Sequence, residues 1–471
     1  MTARREIRLN AFHMNAPGHS WAGLWRHPRD RSVDYNTPEY WADLARIAER
    51  GKFDGVFLAD VFGTYDVYGG SADAALAGAA QAPNADPTLV VPIMAQVTEH
   101  LGFGVTANLT YEHPYQFARR FATLDHLTRG RVGWNVVTGY LESGAKGMGL
   151  AEARAHDDRY AAGEDFLEAV YKLWEGSWED DAAGRDRARA VFTDPRKVHR
   201  VRHDGPYYKV DGLALSEPSP QRTPVLYQAG TSSRGKRFAS RHAEAIFLNG
   251  QTKKMVADSV RAIREGAREF GRDPRDIQFF LGTTVIVAPT RAEAVEKQRE
   301  IARYLDVAGQ LALLSGWTGI DFARFSPDEA VRYVESNALR SLVENLTVNS
   351  DRPFTYGELA GFNPVGARAG FVVGSPSEVA DELISWVEDT DIDGFNLVRV
   401  IAHETLEDFV DLVVPELQSR GVFKTEYRTG TLREKLFPGE GPRLPTRHPA
   451  AAHRRKAVAA QSIVEPAQAE A

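Results

Sequence analysis

The 471-residue chain contains no cysteine. That absence removes disulfides, zinc–thiolate sites, cysteine-ligated iron–sulfur clusters and cysteine nucleophiles together, and it is compatible with a reducing compartment. Long apolar runs are missing as well. No segment approaches the roughly 20 residues that a membrane helix needs, and the start, MTARREIRLNAFHMN, has no extended apolar stretch behind its basic residues. The expectation is a soluble, cytoplasmic protein outside the general secretory route. An excess of positive charge is also lacking: the formal charge is −7, which argues against a general polyanion binder. No H-E-x-x-H helix, G-x-S-x-G elbow, Walker loop or G-x-G-x-x-G turn occurs among the residues. Zinc hydrolysis, a serine nucleophile, ATP-driven chemistry and Rossmann-type dinucleotide binding therefore have no motif to rest on, and no metal site is expected.

What is present is globular. Hydrophobic residues make up 43% and charged residues 26% of the chain, enough for a sizeable core. The length is about three times a typical domain, but α/β barrels grow by loop insertion while staying one domain. Short β-rich runs alternate with amphipathic stretches, the pattern of parallel βα units. Eight strands are predicted: 7–13, 53–59, 102–109, 132–138, 225–229, 245–249, 279–287 and 395–400. That count predicts an α/β fold, a closed (β/α)8 TIM barrel. Thr37-Pro38, Ser326-Pro327 and Ser375-Pro376 each set a hydroxyl acceptor before a proline whose missing N–H costs nothing in a first helical turn. Helical stripes follow, as with Val331, Val334, Ala338 and Leu342, and with Tyr160, Leu167, Val170, Tyr171 and Trp174.

The barrel is expected over residues 1–438, with insertions at about 63–86, 176–223 and 307–370. The second holds a hairpin around His203-Asp204-Gly205 and the third an extra helix. These insertions follow predicted strands two, four and seven, on the side where barrel active sites are built. Residues 439–471, rich in Ala, Pro and Arg and without apolar periodicity, are expected to stay unfolded.

The most informative segment is Gln228-Ala229-Gly230-Thr231-Ser232-Ser233-Arg234-Gly235. It follows a strand and opens a helix, where glycine admits close approach, hydroxyls donate and unpaired N–H groups favour negative charge. The chemistry fits a phosphate cradle or an ordinary capped turn. Asp60, at the rim of strand two, either orients a ligand or ties down the loop after it. Thr106, Asn108 and Asn135 place polar groups late in strands three and four, where they need partners or a cavity. His156 and Tyr160 face one loop end. His13, Trp25, His27 and Tyr140 are candidates for lining a substrate pocket, Trp21 and Arg26 joining Trp25 and His27 at its mouth. No acid, base or nucleophile set is evident, which suits chemistry borrowed from a cofactor.

Several segments then carry a resemblance. GKFDGVFLAD, EHLGFGVTAN, FATLDHLTRGRVGWNVVT, HDDRYAAGEDFLEAVYKLW, DGPYYKVDGLALSEPSPQRTPVLYQAGTSSRG and GVFKTEYRTGTLRE resemble the bacterial-luciferase-like flavin monooxygenases. More narrowly, they resemble the branch of nitrilotriacetate, dibenzothiophene-sulfone and long-chain alkane monooxygenases. The resemblance runs from about Ile7 to Lys435. It implies a TIM barrel that takes reduced FMN (FMNH2) from a separate NAD(P)H:flavin reductase and adds O2 to form a C4a-(hydro)peroxyflavin. One oxygen atom then passes to a small organic substrate, a sulfur, amine or hydrocarbon compound. It also implies a homodimer or homotetramer, with cofactor-binding positions at Asp60, Thr106, His156, Tyr160, Ala229, Gly230, Thr231, Ser232 and Ser233. Many relatives carry serine after WNVVT, where this chain has Gly139 followed by Tyr140. Two alternatives stay open: an F420-dependent oxidoreductase on the same fold, and a non-enzymatic flavin-binding protein. A metal-dependent barrel hydrolase is the rival from another class.

Overall fold

The computed structural model describes residues 5–230, 232–331, 352, 354–367 and 370–455. Eleven strands occur among them: β1 (Arg8–Met14), β2 (Gly55–Ala59), β3 (Gly102–Asn108), β4 (Val132–Val137), β5 (Val201–Asp204), β6 (Lys209–Gly212), β7 (Val225–Gln228), β8 (Ala245–Leu248), β9 (Gln278–Val287), β10 (Gly370–Gly374) and β11 (Gly394–Val398). Eight of them form a closed parallel ring in the order β1-β2-β3-β4-β7-β8-β9-β11, with β11 returning to β1. This is the predicted (β/α)8 barrel.

Alternation along β1 sets what faces inward. Phe12 packs inside the ring with Phe57, Tyr227, Phe247 and Phe280, while Leu9 and Ala11 face the surrounding helices. The side-chain period of two along a strand is the cause. Two of the three predicted caps open helices; Ser326-Pro327 does not, because the chain turns there and Ala330 bridges to Thr355 instead. Thr37 accepts from the Tyr40 N–H at the head of Pro38–Arg50, and Ser375 forms a reciprocal box with Glu378 before Pro376–Thr390.

One strand was not expected. β10 runs parallel to the second half of β9, pairing Thr283 with Gly370 and Val287 with Gly374, while the first half of β9 serves β8 and β11. It lies just past the insertion expected to end at 370. The insertion after β4 carries the antiparallel hairpin β5–β6, with His203 opposite Val210. The insertion after β9 holds the helix Val307–Thr318, buried on nearly all its faces. Of the stripe Val331, Val334, Ala338 and Leu342, the last three lie outside the described residues.

The segment after β2 and the helix Val307–Thr318 share a second apolar core above the barrel, including Tyr65, Ala75, Leu313 and Trp317. Small residues allow the approach: a Cβ on Gly78 would stand 3.0 Å from Gly309 Cα, and one on Gly316 would collide with the Tyr65 ring.

Residues 439–455, within the stretch expected to stay unfolded, are packed. His448 is buried and its Nε2 lies 2.9 Å from the His242 carbonyl, Arg447 Nε donates to Asp276 at 2.7 Å, and Arg454 Nε donates to Glu175 at 2.6 Å. The segment is held by separate polar anchors and by the isolated apolar contacts of Leu444 and Ala450, too few to give a periodicity to detect. Residues 456–471 lie outside the described set. Among the described residues, no helix is long and apolar enough to cross a membrane, and no three His, Asp or Glu side chains group to hold a metal ion.

Candidate active site

A cleft of about 260 Å³ opens at the carboxyl rim of β1–β4, β7 and β8. Its floor is the inward aromatic set: Phe12 lies 4.8 Å from Phe247 and 5.6 Å from Phe57, ring centre to ring centre. Above the floor, the late positions of β3, β4 and β7 contribute amides and a hydroxyl. Thr106 and Asn135 are register partners on adjacent strands, and Asn135 Nδ2 donates to Thr106 Oγ1 at 2.8 Å. That bond leaves Asn135 Oδ1 buried without a partner, and Gln228 Oε1 on β7 is in the same state. Two orphaned acceptors in one cavity are unusual, because an unsatisfied buried polar atom costs about 1–3 kcal/mol.

Asp60 stands at the end of β2 and does both things its position allows: it lines the cleft, and its Oδ1 accepts from Asn84 Nδ2 at 2.8 Å, which fastens the following loop. Burial pushes its carboxyl up to about 6, with Asp86 adding to the rise and the bonds from Asn84 and the Val61 N–H opposing it.

At the opposite end lies the turn after β7. Ser232 caps the helix Ser233–His242, its Oγ accepting from the Gly235 N–H at 3.1 Å. The helix His156–Gly176 brings His156 and Tyr160 to the same turn. His156 Nε2 lies 3.4 Å from Ser232 Oγ, and the buried Tyr160 hydroxyl also bonds the Ser232 side chain. Gly230 makes room here: a Cβ would stand 2.3 Å from Gln228 Nε2 and 2.5 Å from the Tyr160 hydroxyl, so those side-chain ends would have to move. Hydroxyls, helix N–H groups and a histidine thus converge on one small space.

The remaining wall links the cleft to the second core. The hydroxyls of Tyr140 and Tyr65 lie 3.0 Å apart, Tyr65 donates to Gln81 Oε1 at 2.7 Å, and Trp317 Nε1 donates to Tyr65 at 3.0 Å. Gly139 has φ +65°, and a Cβ there would stand 2.6 Å from Asn108 Nδ2. The chain therefore has a steric reason for glycine at this position.

Asp60, Thr106, Asn135, Tyr140, His156, Tyr160, Ala229, Gly230 and Ser232 all line this one cleft. Ser233 opens the adjoining helix, and Thr231 lies outside the described residues. Three other candidates lie elsewhere and are corrected. His13 is at an outward position of β1 and lines a small separate cavity with Arg399 and His403. His27 packs on Tyr304 and sits 3.4 Å from Glu300, against the outer helix Arg291–Ala302, and Trp25 is not among the residues facing the cleft. Sequence reading missed Phe12, Phe57 and Phe247, which are indistinguishable from core by composition. Only the alternation along each strand separates them from their outward neighbours.

A closed parallel barrel with a polar cleft at its carboxyl rim defines an enzyme of the (β/α)8 class. The family described as luciferase-like monooxygenase matches residues 12–393, and the chain belongs to that family. It is 45% identical over 466 residues to the dimethyl-sulfide monooxygenase of Hyphomicrobium sulfonivorans, covering 99% of this chain and 97% of that one. It is 46% identical over 450 residues to the long-chain alkane monooxygenase of Geobacillus thermodenitrificans, covering 96% and 98%. A solved riboflavin lyase, with modified FMN and riboflavin, is similar at 38% identity and a TM-score of 0.90, covering 96% of this chain and 100% of that one.

Proposed function

We propose that the cleft binds reduced FMN, received from a separate NAD(P)H:flavin reductase, and that the enzyme uses O2 to oxygenate a small sulfur, amine or hydrocarbon compound. The observation that carries this reading is the pair of buried, partnerless amide oxygens of Asn135 and Gln228 beside the aromatic floor. They fit a flat heteroaromatic ligand that offers N–H donors, and the Ser232 turn at the far end fits a terminal phosphate. Asp60 and Thr106 would hold the ring and its side chain, and His156, Tyr160 and Ser232 the phosphate. When bound, reduced flavin supplies the electrons that activate O2. The protein's part is to bind, to orient and to exclude water, the last served by the interlocked second core above the cleft. The named activities of the relatives, on dimethyl sulfide and on long-chain alkanes, support a sulfur compound or a hydrocarbon as substrate.

The test is anaerobic titration with reduced FMN, followed by admission of air in the presence of a flavin reductase, NADH, dimethyl sulfide and a series of alkanes, with products read by mass spectrometry. Binding of reduced FMN and a product gaining one oxygen, or cleaved oxidatively, is expected. Failure to bind reduced FMN overturns the reading. Hydrogen peroxide as the sole product with every compound points instead to a flavin-binding protein.

A further inference from the structure

The hydrogen-bond directions at the Ser232 turn say more than that an anion fits. Resting on the reading of this turn as the flavin phosphate site, we infer that His156 takes up one proton when a phosphate monoester docks, so that the bound state is an imidazolium held between Asp157 and the ligand.

The inference follows from counting protons. His156 Nδ1 lies 2.8 Å from Asp157 Oδ1, and an ionised carboxylate only accepts, so Nδ1 carries the hydrogen of the neutral ring. Nε2 is then a bare acceptor, and it faces Ser232 Oγ at 3.4 Å. Ser232 already accepts the Gly235 N–H, so its own hydrogen is directed to its other neighbours, His156 and Tyr160. This arrangement is closed without a ligand. A phosphate dianion brings acceptors alone. For His156 to contribute, Nε2 must gain a hydrogen; Ser232 is then released to turn its own hydrogen to the phosphate. Two donors replace one internal bond, and both are charge-assisted.

The surroundings fit a proton that arrives with the anion. Asp157, with a largely exposed side chain, is the only carboxylate bonded to His156 among the described residues. Arg159 shares its helix and Arg234 and Lys236 lie on the facing one, so the turn is ringed by cations that favour an anion. Of the remaining charges nearby, Asp158 is engaged by the Tyr207 hydroxyl and Arg154 lies over the Tyr207 ring.

The experiment is calorimetric titration of the full chain with oxidised FMN at pH 8, in two buffers of different ionisation enthalpy. At that pH a phosphate monoester is already dianionic, with a second pKa of about 6. Uptake approaching one proton per FMN is expected, with affinity falling about tenfold per pH unit above pH 8. Riboflavin should show no uptake. His156→Gln, whose amide donates without titrating, should still bind FMN but with no uptake and a flat pH profile. Binding without uptake in the parent, or uptake that persists in His156→Gln, overturns the inference and leaves the flavin site standing. If neither FMN nor reduced FMN binds, the flavin reading falls and takes this one with it.

Discussion

At the amino end of the barrel, the charged groups that the ring buries have been given partners; at the carboxyl end, several polar groups have been left waiting. Arg433 donates to both oxygens of Glu244, at 2.6 and 2.9 Å, and also to the Thr223 carbonyl. Asp54 receives Arg8 at 3.1 Å, Lys424 at 2.8 Å and the Leu9 N–H at 2.9 Å. Arg131 spends its guanidinium on carbonyls and one hydroxyl around residues 95–101 and 128. On the opposite rim, the cleft holds two amide oxygens without partners and a carboxyl raised to about 6. The same ring of strands supports both ends, so burial alone does not mark function. Partnerless acceptors gathered in one cavity do; Gln278 Oε1, also partnerless, stands alone at the amino end.

The comparison breaks most visibly at its satisfied end. Arg433→Ala leaves Glu244 charged and buried, and should cost about 3–5 kcal/mol of stability. Urea unfolding should show that loss while FMN affinity in the folded protein is unchanged. A parallel drop in affinity would mean that the two ends are not separable.

Asp60 comes next, because its cost at the waiting end is set by pH. Its native carboxyl titrates near 6, against 3.8 ordinarily, so between those values the native state binds more protons than the unfolded one. Stability therefore falls as pH rises through about 4 to 6 and levels off above. Asp60→Asn should remove that slope and raise stability at pH 7 by at most about 3 kcal/mol, since each pH unit separating the two titrations is worth about 1.4 kcal/mol. Unfolding curves at pH 4.5 and 7 check the sign; a variant less stable than the parent at pH 7 would refute it.

Ser232→Ala sharpens the contrast within the cleft. Removing a charge-assisted bond should weaken FMN by roughly 1.5–3 kcal/mol while leaving riboflavin unaffected. Adding Ser233→Ala should deepen the loss. Equal FMN affinity in the double variant and the parent would remove the phosphate from this turn.

The smallest effect is the most diagnostic. Gln228→Leu deletes an acceptor that the ligand-free protein cannot satisfy, so stability should stay level or rise by about 0.5–1 kcal/mol as flavin affinity falls. Both are measurable on one preparation by thermal unfolding with and without FMN.

Much of this was legible in the sequence, for stated reasons. Strands such as Phe53–Ala59 and Phe279–Val287 are continuous apolar runs, as strands covered on both faces must be. β10 escaped, although Phe371-Val372-Val373 stands directly before the Ser375-Pro376 cap, because it follows a long insertion and pairs with only one neighbour. In the cleft, residues whose polarity conflicts with their strand, such as Asn135, stand out. Side choice is harder: His13 and Phe12 are adjacent, and a one-residue alternation sends the phenyl ring into the cleft and the imidazole out of it. Distance from β1 along the chain says nothing about the turn that carries His27 onto the helix Arg291–Ala302.

The seal at the amino end has a consequence in time. Lys424 meets Asp54 across 370 positions of sequence, and Arg433 meets Glu244 across 189. A ribosome therefore finishes almost the whole barrel before the residues that neutralise its base exist. Until they emerge, Asp54 has only Arg8 and the Leu9 N–H, and Glu244 lacks its guanidinium, so the base closes last. A chain ending before residue 424 would hold every cleft residue and lack both cations of the base, so the site can be complete in sequence before the barrel that carries it is closed.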